Sequence, residues 1–224
     1  MINNPTNFIR FTAIACLASV ITTIGIHAFF NFDAPTFEER VLLFQNPLYI
    51  LNRWWVIVHC LLVTVSMWGF YLIQHKKSRE FVGLGFVFFF VFAITEIYRQ
   101  LLVLFYLNGM REKYLATDSE ATKLFLANSI DNFGMFSYAL FALFVLAFAI
   151  GNLCYGLSLI RETGLGKYLC VSLLIWSGGV FLALGNEFWE VPWISSFLSQ
   201  FNLYYQPLAR ALFAVWLWKA AESV

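Results

Sequence analysis

Charge is what this 224-residue chain has least of: Asp, Glu, Lys and Arg together supply 12% of it, about half the share of an ordinary soluble domain. So few charges cannot clothe 61% hydrophobic residues in water, and a mean hydropathy of +0.73 points to an integral membrane protein. The charges nearly cancel, at +1 net. No basic patch is left for nucleic acid, which is excluded as a partner. The four cysteines, Cys16, Cys60, Cys154 and Cys170, sit inside apolar runs without CxxC or CxxCH spacing. That arrangement fits small core residues rather than a disulfide framework or a metal cluster. The sequence also lacks HExxH, GxSxG and GxxxxGK[ST], and no spanning lysine is present to form a retinal Schiff base. Inverted halves with paired broken helices are missing too, since the interruption at Pro207 is single. This weighs against a standard secondary transporter.

What the chain does have is long apolar runs. The most informative covers 83–107, GLGFVFFFVFAITEIYRQLLVLFYL, with Glu96 and Arg99 inside it. A helix in hydrocarbon satisfies its own backbone but not a carboxylate or a guanidinium, and each such charge costs at least about 2.5–3.5 kcal/mol on insertion scales. Their i, i+3 spacing puts the two on one helix face, so the simplest partner for each is the other. That face is expected to point into a bundle.

Five further spans are expected, at about 8–32, 54–74, 133–160, 168–186 and 203–218, in a single polytopic membrane domain covering 1–224. Residues 1–7 read as a polar, turn-like start. The first span is expected to be an uncleaved transmembrane helix, because the Ala15-Cys16 pair lacks a lipobox leucine. Between spans one and two, FEERVLLF is amphipathic and predicts an interfacial helix over about 36–44. Trp54 and Trp55 open the second span as interfacial aromatics. A polar loop is expected over 110–130. Within it Thr117 and Glu120 have capping-box spacing, which starts a helix near Asp118.

Orientation follows from the short turns. His75, Lys76, Lys77 and Arg79 lie between spans two and three, and Arg161 and Lys167 between four and five. Such excesses of Lys and Arg stay cytoplasmic. The reading is an all-α membrane protein, a six-transmembrane-helix bundle with both termini cytoplasmic and with loops one, three and five outside.

With that topology the ionisable residues gather in the outer half of the bundle, which describes a polar pocket opening outward. Its candidate lining is Glu96, Arg99, Asp131, Asn132, Glu187, Glu190 and Arg210. Four of them have a plainer alternative: Glu96 and Arg99 as a structural ion pair, Glu187 and Glu190 as a solvated helix end. Arg210 has no acidic residue on its own span, so its partner is expected from another helix, with Glu96, Asp131, Glu187 and Glu190 as the choices. His27 and His59, at similar depth on adjacent spans, are candidates to ligate a b-type haem or a metal. The plain alternative for them is interfacial hydrogen bonding.

Span four, the Arg161–Lys167 turn with Gly164 and Gly166, and the LLIWSGGVFLAL that follows resemble a family of small uncharacterised bacterial six-helix membrane proteins, a domain of unknown function. Arg99 also falls where that family places an arginine. The resemblance implies a multi-pass protein of the bacterial inner (plasma) membrane and carries over no catalytic residue. The long acidic first loop departs from the family pattern.

The function expected is binding or accessory: the pocket takes a small or lipid-like ligand, or the protein serves partner membrane subunits. Two alternatives stand beside it. One is a membrane redox subunit holding haem through His27 and His59, and the other an intramembrane metal-dependent enzyme using those histidines with Glu96.

Overall fold

Capping chemistry sets where the helices begin. The computed structural model describes residues 5–29 and 32–222, so residues 1–4 of the expected turn-like start and residues 30–31 of the first span lie outside the described residues, while 5–7 of that start are already helical. Among those described, eight α-helices form: α1 (Pro5–Phe29), α2 (Phe37–Leu42), α3 (Pro47–Gln74), α4 (Arg79–Leu101), α5 (Asn108–Ala116), α6 (Glu120–Ser158), α7 (Leu165–Trp189) and α8 (Pro192–Ala221). The short α2 is the expected amphipathic segment. It is held by a capping box in which Glu39 N donates to Thr36 Oγ1 and Thr36 N to Glu39 Oε2. The bond from the Thr36 amide holds the Glu39 carboxyl below its ordinary value.

Several boundaries differ from the expected ones. α3 starts at Pro47, not at 54, because Asn46 caps it by accepting from Leu48 N at 2.9 Å and proline suits the first helical position. The expected polar loop over 110–130 is largely helical. α4 runs through a π-helical turn, Leu102–Leu107, straight into α5. Asn108 and Gly109 read as punctuation, yet the helix passes them: Arg111 Nη1 donates to Asn108 Oδ1 at 3.0 Å, and Leu107 and Met110 bury against Val41, Tyr49 and Leu126. At the next start the capping role falls to Ser119, which accepts from Thr122 N, rather than to a Thr117–Glu120 box.

α6 is 39 residues long, about 60 Å at 1.5 Å per residue and twice the roughly 30 Å hydrocarbon core. Its first turns pack with α2 and α5 around a separate small core of Val41, Tyr49, Leu107, Leu126 and Ile130. α8 likewise starts well before the expected 203 and continues through Pro207.

The six long helices form a closed ring. α1 packs on α3, α3 on α4, α4 on α6, α6 on α7, α7 on α8, and α8 back on α1. Five of these stretches are long and apolar enough to cross a membrane by length and composition: α1, α3, the continuous α4–α5, α6 and α7. α8 has the length, but its first half carries Ser195, Ser196, Ser199, Gln200, Asn202 and Gln206.

One end of the ring is closed by aromatic packing. Tyr155 is fully buried, stacks on Phe70 with centroids 4.1 Å apart, and donates its hydroxyl to Met67 O at 2.9 Å. Phe213 and Trp216 complete the plug. Two glycines permit the close approaches around it: a Cβ on Gly85 would lie 2.5 Å from the Tyr155 ring, and one on Gly69 would lie 2.1 Å from Thr12 Oγ1. Below this plug Lys77 Nζ meets Glu162 Oε1 at 2.6 Å, which ties the α3–α4 turn to the α6–α7 turn. The ammonium holds the Glu162 carboxyl below its ordinary value.

Candidate functional site

Above the plug, at the other end, the ring encloses a cavity of about 560 Å³ with lining from all six long helices. Chain direction alternates around the ring. The lining therefore comes from the last turns of α1, α4 and α7 (Thr23, Glu96, Glu187), from the early turns of α3 (Asn52, Arg53, His59), and from mid-helix positions of α6 and α8 (Tyr138, Gln206, Arg210).

The polar part of the lining starts from Glu96, 3% exposed. Its carboxylate accepts from Arg99 Nε at 2.7 Å and Nη2 at 2.6 Å, and from Gln100 Nε2 at 2.6 Å. Gln100 Oε1 in turn accepts from Arg53 Nη1 at 3.2 Å. One connected set of hydrogen bonds thus runs Arg53–Gln100–Glu96–Arg99 and pins α3 to α4. Arg53 also lies over the Tyr49 ring, and Arg99 over Phe141, contacts that favour a guanidinium electrostatically.

Arg210 differs from the other two arginines. It is 4% exposed, its Nε has no hydrogen-bond partner, and among the described residues no carboxylate forms an ion pair with it. Three of the four acids expected to neutralise it are engaged elsewhere. Glu96 is held by Arg99, Asp131 pairs with Arg40 at 3.2 Å, and Glu187 accepts from the Tyr138 hydroxyl. Arg210 instead places Cζ 5.2 Å from the Trp176 ring centroid, while its backbone carbonyl accepts from Cys16 Sγ. The excess of cation is therefore local: three arginines line the cavity against two glutamates, and one of those, Glu187, is exposed.

Of the expected lining, Glu96, Arg99, Glu187, Arg210 and also His59 border this cavity, whereas Asp131, Asn132 and Glu190 do not. Asp131 and Asn132 lie exposed on α6, about three turns past its start at Glu120, and face away from the cavity. Glu190 follows the end of α7 in a left-handed backbone conformation, φ 51°, and is exposed. His59 Nδ1 lies 2.7 Å from Thr22 Oγ1. The side chain of His27, the other expected haem ligand, lies outside what the structure describes. Among the described residues no group of three His, Cys, Asp or Glu could hold a metal ion.

Sequence reasoning missed Arg53, Gln100, Asn202 and Gln206. Three signals could have found them: the Asn46-Pro47 pair that moves Arg53 into a helix, the i, i+4 relation of Gln100 to Glu96, and the i, i+4, i+8 series Asn202, Gln206, Arg210 on one helix face. Comparison with protein-family models, with curated proteins and with solved structures finds no match for the chain.

Proposed function

We propose that this is an inner-membrane protein of six crossings, both termini cytoplasmic, whose cavity opens outward and binds a small or lipid-like ligand in a binding or accessory role. The observation that carries the reading is a buried arginine without a carboxylate partner among the described residues, in a cavity of ligand size. Ligand pockets run to about 300–1,000 Å³, and the cavity has about 560 Å³. An intramembrane charge that the fold does not neutralise marks a ligand or transport path by default. α8 counts as the sixth crossing because it completes the ring beside α1. The orientation rests on the basic turns at 75–79 and 161–167, which sit together at the plugged end. The bacterial inner membrane rests on the family resemblance of spans four and five.

The test uses thiol labelling in a Cys60→Ser background. Gln206→Cys should react with a membrane-impermeant maleimide in intact cells, and Lys77→Cys only after permeabilisation. Adding Ala142→Trp, which puts an indole into the cavity from α6, should slow labelling of Gln206→Cys. Reaction of Lys77→Cys in intact cells would overturn the orientation. Unchanged Gln206→Cys labelling in the filled variant would remove the accessible cavity.

A further inference from the structure

We propose that the ligand of this cavity is an anionic amphiphile: one acidic head, carboxylate or phosphate, seated at Arg210, with an apolar chain along the apolar lining. The inference deepens the binding function proposed above and rests on it. Three observations on different parts of the cavity point the same way.

The first is the charge that the fold leaves uncompensated. A guanidinium withdrawn from water carries a desolvation penalty of several kcal/mol unless a partner of opposite charge supplies it. Arg210 is 4% exposed with an unbonded Nε, and among the described residues its ring contact is with Trp176 alone. The buried carboxylate of the lining, Glu96, already accepts from Arg99 and Gln100. Arg53 Nε is a second buried donor on the lining without an acceptor. A cationic head would meet three arginines, and a neutral one would leave Arg210 as it is. A planar guanidinium fork matches carboxylate and phosphate oxygens alike, so the head chemistry is shared between those two acids.

The second observation is the rest of the lining, much of which is apolar. Phe92, Phe141, Phe144, Val145, Phe148 and Leu184 belong to it. A bare inorganic anion would leave this surface unused and surrender its own hydration. A hydrocarbon chain covers it, at about 25 cal/mol for each Å² removed from water.

The third is the position of the mouth. The exposed lining residues are Tyr138 and Phe141, 54% and 42% exposed, and Glu187. They stand at the border of α6 and α7, where the Tyr138 hydroxyl donates to Glu187 across the two helices. The mouth is thus flanked by the apolar outer face of α6, with Met135, Phe136 and Leu143 exposed beside it. A molecule whose chain already lies in the bilayer can enter there without crossing water.

The experiment titrates the purified full chain in dodecyl maltoside with dodecyl phosphate, laurate, dodecanol, dodecyltrimethylammonium and inorganic phosphate, each at low mole fraction. The readouts are the thermal midpoint and tryptophan fluorescence, since Trp176 lies against Arg210. Dodecyl phosphate and laurate should raise the midpoint saturably while the other three leave it unmoved. Arg210→Gln should weaken that binding about 10- to 100-fold, the range for losing hydrogen bonds to a charged group. Should Arg210→Gln not fold, Ala142→Trp, which blocks the cavity from α6, must abolish the shift. An equal response to dodecanol or to the ammonium amphiphile, lost in Ala142→Trp, overturns the anionic head while the cavity reading stands. A response to inorganic phosphate alone that matches dodecyl phosphate overturns the amphiphile in favour of a free anion. If no probe shifts the midpoint, or if Ala142→Trp leaves every shift intact, both the amphiphile and the cavity as its site are refuted.

Discussion

Glu96→Gln is expected to destabilise the detergent-purified protein by about 3–5 kcal/mol, the usual cost of stranding one member of a buried ion pair. The Glu96 carboxylate accepts three hydrogen bonds, from Arg99 Nε and Nη2 and from Gln100 Nε2. A glutamine keeps one acceptor oxygen and presents an NH2 group, which has no acceptor to offer those donors. Arg99 would then be left with its Phe141 contact and partial access to water at 18% side-chain exposure, and the link through Gln100 to Arg53 would lose its anchor. The sharper expectation is the coupling. Arg99→Gln should recover part of the loss when added to Glu96→Gln, because the stranded charge is gone. Midpoints of thermal unfolding for the two single variants and the double variant test it. A double variant destabilised by the plain sum of the single effects would mean that the pair stabilises nothing jointly.

The pair itself was legible because its logic is local. Two opposite charges three residues apart inside 83–107 can meet only on the same helix face, and they do. The amphipathic segment near 36–44 was equally local, and α2 forms there on its own capping box. The termini of the long helices were less so. Trp54 and Trp55 suggested an interface and drew the start of α3 to 54, yet the Asn46 cap and Pro47 start the helix seven residues earlier and carry Asn52 and Arg53 onto the cavity wall. Hydropathy registers the middle of a helix, whereas caps fix its ends, and the functional side chains lie near the ends.

The same limit governs 110–130. Polarity and Gly109 suggested a loop, but polar residues remain helical when another element covers their apolar neighbours. Met110 and Arg111 are buried against Tyr49, which belongs to α3, more than 60 positions away in sequence. Arg210 was legible as a charge needing compensation and illegible as to its source. Elimination among the acids assumed that each was available, whereas Arg99, Arg40 and Tyr138 each hold one. Pairing across helices depends on which carboxylate is already taken, and no spacing rule along the chain records that.

Arg210 therefore gives the second large effect, and its sign is unusual. In ligand-free protein Arg210→Met should raise stability, by about 1–4 kcal/mol on the scale found when buried ionic groups are replaced by apolar ones of similar volume. The side chain is 4% exposed, carries an unbonded Nε and meets no carboxylate among the described residues. Methionine would retain contact with Trp176, since a thioether also packs well on an aromatic ring, and would remove the desolvation penalty. What it discards is the cation–π contact, about 2 kcal/mol when desolvated, so the net gain is the penalty less that amount. Stability gained by deleting a charged cavity residue is the mark of a group kept for binding rather than for folding. The measurement pairs the unfolding midpoint of Arg210→Met without ligand against its response to dodecyl phosphate, which should be lost. A variant that unfolds earlier than the parent would show instead that the guanidinium holds α8 against α7 through Trp176, and Arg210 would then be a structural residue with its charge satisfied by the ring.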